Sequence, residues 1–163
     1  MSDDTVMRTL ILGLGNPILG DDGIGLAVLE HLRPLLTDRP DVVLSEDYWG
    51  GLRLMERLIG FDRAIIIDAI VSEQVPGTVL ELTPGSIPTQ RSSSSHDVNL
   101  ATALELGRKT GARLPENDDI LIVAIEADDV YTFTEKLSPD VEAAIPSAIQ
   151  AVLNALDHER ESS

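Results

Sequence analysis

The sequence predicts an α/β fold, a three-layer α/β/α sandwich around a mostly parallel sheet. Three observations predict it. First, the runs Leu10-Ile11-Leu12, Ala64-Ile65-Ile66-Ile67 and ILIVAI at residues 120–125 are apolar throughout and rich in β-favouring residues. Strands covered on both faces read this way, because neither face of the pleat needs a polar residue. Second, stretches with helical spacing separate these runs, in the order strand, helix, strand, helix, strand, strand, helix, strand, helix. Third, each apolar run ends in glycines or acids. The carboxyl ends of such strands are where open α/β sheets build their sites.

The first strand, near residues 10–14, opens the segment TLILGLGNPILGDDGIG. Gly13 and Gly15 break the run, and Asn16-Pro17 marks a turn, since the residue before proline is pushed out of helical geometry. Ile18 stands where a dinucleotide fingerprint requires its third glycine, and an acid pair follows where a pyrophosphate would have to approach. A helix runs from Asp22 to about Leu32, with Ile24, Val28 and Leu32 on one stripe and Pro34 at its end. His31 in its last turn is surface chemistry. Asp21 and Asp22 exceed what one helix cap needs. One is expected to cap the helix and the other to face a cation.

A second strand near residues 42–45 leads through Tyr48-Trp49-Gly50-Gly51 into a helix with Leu52, Met55, Leu58 and Ile59 inward, Trp49 covering the edge of the core. The third strand, near residues 64–68, is central and ends in Asp68. A carboxylate there is expensive to bury unless it is paired, hydrogen-bonded or on a metal. The link to a fourth strand, near residues 78–82, is too short for a helical crossover, so this strand runs antiparallel, and Pro76 suits it to an edge. Residues 83–95 form a long proline- and serine-rich loop, with serines at 92–95. His96 follows at the start of a helix over residues 97–109, where the helix dipole favours a neutral, ligand-competent imidazole. The fifth strand, near residues 121–125, runs into Glu126-Ala127-Asp128-Asp129. Ser138-Pro139 opens the last helix, with Ser138 as cap and a kink expected at Pro146.

At 163 residues the chain is expected to form one domain over its whole length. Only 3% of residues are aromatic, so the core must be built from Leu, Ile, Val and Ala. The formal net charge of -16 argues against nucleic acid and against anionic membranes, both of which need a positive surface. There is no cysteine, which excludes disulfides, thiolate metal ligation and a cysteine nucleophile. The amino terminus has no apolar h-region and no run approaches membrane-spanning length, so the expected location is the cytoplasm.

Asp22, Asp68 and His96 therefore converge on one sheet edge. Two carboxylates and an imidazole make a weak site for a divalent first-row metal, suited to an ion that another molecule already carries. An alternative is a magnesium-binding phosphoreceiver-like signalling domain using Asp21, Asp22 and Asp68. Such domains need a lysine at the end of the last core strand, where this chain has Glu126, and lack the glycine-rich insertion. The serines beside His96 suggest serine catalysis only by adjacency, and no GxSxG elbow is present.

The blocks GLGNPILGDDGIG, IIIDAI and SSHDVNL, in this order, resemble the signature blocks of the hydrogenase maturation proteases over nearly the whole chain. The resemblance implies a twisted, five-stranded mixed sheet of phosphorylase/hydrolase-like fold, with the fifth strand between the third and fourth. It implies an endopeptidase, acting as a monomer, that removes the C-terminal extension of a NiFe-hydrogenase large-subunit precursor after nickel insertion. Nickel is then carried by the precursor, with weak or no binding to the isolated protein. By motif, the family's catalytic and metal-binding positions fall on Asp22, Asp68 and His96, with Asp21 as the alternative to Asp22.

Overall fold

The computed structural model describes residues 6–48, 51–86 and 100–161. Five strands, β1 (Thr9–Leu14), β2 (Val42–Asp47), β3 (Arg63–Ile70), β4 (Val79–Leu82) and β5 (Ile120–Glu126), form one sheet in the order β2-β1-β3-β5-β4. The pairs β1–β2, β1–β3 and β3–β5 are parallel, and β4 runs antiparallel to β5 at the edge. The fifth strand therefore does lie between the third and fourth. A receiver domain has the order 2-1-3-4-5, so the topology also sets this chain apart from that alternative.

The uniformly apolar runs are explained by the pleat, which sends successive side chains to opposite faces. On one face Ile11, Ile65, Ile67, Val123 and Ile125 pack beneath α1 (Ile24–Leu32) and α5 (Ile145–Glu161). On the other Leu10, Leu12, Leu14, Ala64, Ile66, Ile122 and Ala124 pack against α2 (Gly51–Leu58) and α3 (Leu100–Lys109). Fully burying one such aliphatic side chain contributes about 1.5–3 kcal/mol. Because both faces of β3 are used, its Ile65, Ile66 and Ile67 all contribute.

Three local expectations are corrected. The buried face of α2 is Leu54, Met55 and Leu58, while Leu52 and Ile59 are 47% and 45% exposed. Leu52 lies beside the stripe on the helical wheel and Ile59 falls in the turn after the helix ends, so apolar character alone misplaced them. The last helix is broken rather than kinked. A short α4 (Pro139–Glu142) ends before α5, and Pro146 sits in the first turn of α5, where its missing N–H costs nothing. Ser138 precedes α4 in extended geometry but makes no capping bond to it, because its hydroxyl is engaged elsewhere. Among the described residues no helix is long and apolar enough to cross a membrane.

Candidate functional site

The site is built at the carboxyl edge of β1 and β3. After Leu14 the chain turns through Asn16-Pro17 and a single 3-10 turn, Gly20–Gly23, into α1. Two glycines make this turn possible. Gly15 has φ +142°, and a Cβ on it would lie 1.8 Å from the Asp22 carbonyl oxygen. A Cβ on Gly25 would lie 2.3 Å from the Ile67 carbonyl oxygen and 2.5 Å from that of Leu14. The bare backbone at Gly25 thus lets the start of α1 rest directly on the ends of β1 and β3. That contact brings Asp22 to the residue after Ile67, which is Asp68.

Both acids are buried, Asp22 at 5% and Asp68 at 7% exposure. Oδ2 of Asp22 accepts a hydrogen bond from the Asn16 backbone N–H at 2.7 Å, which closes the loop after β1. Oδ1 of Asp68 accepts from the N–H of Ala69 at 2.8 Å. Burial is the main cause that raises the Asp68 carboxyl well above its usual range, and the negative charge of Asp22 adds to it. The Ala69 hydrogen bond opposes both. The charge of Asp22 therefore adds to the cost of ionising Asp68 in this buried corner. A proton or a cation relieves it.

Asp21, the neighbouring acid, is wholly buried and has a different task. Its Oδ2 accepts hydrogen bonds from the N–H groups of Asp128 and Asp129, both at 2.9 Å, and from the Ser138 hydroxyl at 2.8 Å. Its Oδ1 accepts from the Ser138 N–H at 2.7 Å. Four donors saturate this carboxylate and tie the turn before α1 to the segment after β5. Neither acid caps α1: Gly23 occupies the cap position and no side chain bonds there. The choice left open between Asp21 and Asp22 is thereby narrowed by chemistry, since a carboxylate with four internal donors has little left to offer a ligand.

Asp22 and Asp68 are brought together as the strand-end pattern suggested. His96 lies outside the described residues, as do Trp49 and the serines at 92–95. Among the described residues there is no group of three or more His, Asp or Glu side chains able to hold a metal ion, so the two acids stand as a pair. The acid cluster after β5 divides on inspection. Glu126 is buried at 2% exposure and accepts from the Ser72 N–H and hydroxyl, fixing the link that leads to β4. Asp129 closes a turn by accepting from the N–H groups of Tyr131 and Thr132. Sequence reasoning missed the Asp21–Ser138 clamp. Its one visible sign was the surplus acid beside Asp22.

The hydrogenase maturation protease family model matches residues 26–155. The hydrogenase 2 maturation protease of Escherichia coli (strain K12) is 34% identical over 155 residues, covering 92% of this chain and 91% of that protein. Among solved structures, the hydrogenase maturating endopeptidase HybD from E. coli superposes with a TM-score of 0.74 at 29% identity, over 94% of both chains. The [NiFe] hydrogenase maturation protease HybD from Thermococcus kodakarensis gives a TM-score of 0.65 at 25% identity, over 91% of this chain and 98% of that one.

Proposed function

The chain belongs to the hydrogenase maturation protease family and is a peptidase, and from that premise we propose that it removes the C-terminal extension of a NiFe-hydrogenase large-subunit precursor and reads the precursor's nickel with Asp22, Asp68 and His96. The observation that carries this reading is the pair of buried carboxylates, Asp22 and Asp68, at one sheet edge, the charge of one adding to the strain on the other. Such a pair is poised for a cation. With no cysteine in the chain, its oxygen ligands are too weak to strip nickel from thiolates but can complete the shell of an ion that the precursor already holds. Asp22 and Asp68 supply the negative oxygens, and His96 supplies the neutral nitrogen. Nickel therefore arrives as part of the substrate, and the isolated protein binds it weakly. The same reading has the protein acting as a monomer in the cytoplasm.

The test incubates the purified protein with nickel-loaded and nickel-free precursor and follows loss of the tail by mass. Cleavage of the loaded form alone is expected, and equal cleavage of both would show that the metal is not read. Asp22→Ala, Asp68→Ala and His96→Ala are each expected to abolish processing. Full activity of the Asp68→Ala protein would place the site elsewhere. Because imidazole binds a metal only when neutral, processing is expected to decline as the pH falls through the ordinary histidine range, about 6.5.

A further inference from the structure

The segment between β5 and α4 carries an arrangement that the two acids do not explain. The whole chain has only five aromatic residues, one Trp, two Tyr and two Phe. Two of them, Tyr131 and Phe133, stand on this one segment at 83% and 81% exposure. Val130 beside them is 7% exposed and packs into the core. The segment is thus anchored by a small aliphatic side chain while its two largest apolar side chains face solvent. That inverts the usual economy of a core short of aromatics.

The backbone beneath these aromatics is well fixed. Asp129 accepts from the N–H groups of Tyr131 at 2.9 Å and Thr132 at 3.1 Å, and its other oxygen accepts from the Thr132 hydroxyl at 2.5 Å. Gly20 N–H donates to the Thr134 carbonyl, Thr134 N–H to that of Ile18, and Asp21 N–H to that of Asp129, at 2.8–2.9 Å. The Asp21 carboxylate then holds both ends of the segment, at Asp128-Asp129 and at Ser138. Ile18, 49% exposed, lies on the chain segment bonded to Thr134. The result is a preorganised apolar surface directly continuous with the turn that holds Asp22. Exposed aromatics on a fixed backbone lose little conformational freedom when covered, and such residues dominate binding at interfaces.

We propose that Tyr131 and Phe133, with Ile18, form the docking surface for the precursor's own chain beside its scissile bond, and that they take an apolar segment flanked by lysine or arginine. The inference rests on the hydrogenase-precursor reading given above. The apolar part of the recognition comes from the three side chains. The basic part follows from charge: the segment exposes Asp128 and Glu135 against one Lys136, on a molecule of net charge -16. Asp21 touches no substrate in this scheme. It is a positioning residue that keeps the aromatic surface in register with Asp22.

The experiment measures steady-state processing of nickel-loaded large-subunit precursor by the wild type and by a Tyr131→Ala/Phe133→Ala double variant. Neither side chain supports the core, so the double variant is expected to melt with the wild type. Its KM is expected to rise by about tenfold or more, the scale of a lost interface anchor, with kcat within about twofold. The conservative changes Tyr131→Phe and Phe133→Tyr are expected to keep KM near the wild-type value. In an Asp68→Asn background, expected to stop cleavage while leaving Tyr131 and Phe133 in place, the double change is expected to weaken the remaining precursor binding by the same factor. Raising salt from about 0.05 to about 0.3 M, which shortens the screening length roughly 2.4-fold, is expected to weaken binding further. If the wild type cleaves and the double variant shows an unchanged KM, the inference is overturned. A loss confined to kcat overturns it too, since the segment would then act on the chemistry. A wild-type dimer that the double change dissociates, with KM unaltered, would assign the surface to a second copy of the chain. Failure of the wild type to cleave any precursor would instead overturn the functional reading on which this rests.

Discussion

Asp21 and Asp68 are both buried acids, and the structure assigns them opposite effects on stability. Because burial and the charge of Asp22 raise the Asp68 carboxyl, the folded state holds its proton more tightly than the unfolded chain. The sign follows for this group alone: the stability that Asp68 contributes is fully present below the unfolded value of about 3.9 and is lost as the pH rises through the raised folded value. Asp68→Asn keeps an oxygen for the Ala69 N–H and removes the charge. It is expected to melt above the wild type at pH 8, to lose that advantage toward pH 3, and to process no precursor. Thermal melts across that range, beside the processing assay, check all three. Asp21→Ala is expected to do the reverse. It orphans the donors of Asp128, Asp129 and Ser138, at a cost on the order of 3 kcal/mol, read as a lower denaturant midpoint. Position at a strand end was enough to draw attention to Asp68 and to the Asp21-Asp22 pair, but not to choose between the two neighbours. The separate task of Asp21 was not legible, because its partners lie 107 to 117 residues further along the chain. Ser138 was misread for the same reason, since a serine before proline looks like a cap until its distant partner is seen.

At the level of elements, the site depends on how closely α1 approaches β1 and β3. Gly25→Ala places a methyl 2.3 Å from the Ile67 carbonyl oxygen, against backbone that has nowhere to go. The helix must lift, and Asp22 lifts with it. Gly25→Ala is therefore expected to lower both the melting temperature and the processing rate. Gly60→Ala, where a Cβ meets nothing within 4 Å, is expected to leave the processing rate unchanged despite its strained φ of +90°. Three of the five strands, β1, β3 and β5, were legible as apolar runs without alternation, and β4 was legible from the alternation Val79-Leu80-Glu81-Leu82. The direction of β4 was legible too, since eight residues between Ile70 and Val79 cannot carry a crossover helix. Strand order came only with the family resemblance, as hydrophobic pattern says which faces are buried and not which neighbours bury them. The inward face of α2 shows the same limit: Leu52 and Ile59 are as apolar as Leu54 and Leu58, and only packing decided among them.

For the whole molecule, a net charge of -16 on 163 residues is a standing self-repulsion. Screening relieves it, so the melting temperature is expected to rise between about 0.01 and 0.15 M salt, where the Debye length shortens from about 30 to 8 Å. A scanning calorimeter series at fixed pH checks this, and a flat or falling response would show that the local ion pairs outweigh the net field. The same molecule spans its own site in an unusual order. Asp22 is encoded near the start of the chain, while the clamp that steadies its turn closes on Ser138, 117 residues after Asp21. A ribosome making this chain must add 117 residues after Asp21 before that clamp can form. From the addition of Asp68 until that of Ser138, the nascent chain carries both acids of the pair and lacks the frame that steadies the turn of the first, so a product truncated in that interval inherits the acids without the hydrogen bonds that hold them in register.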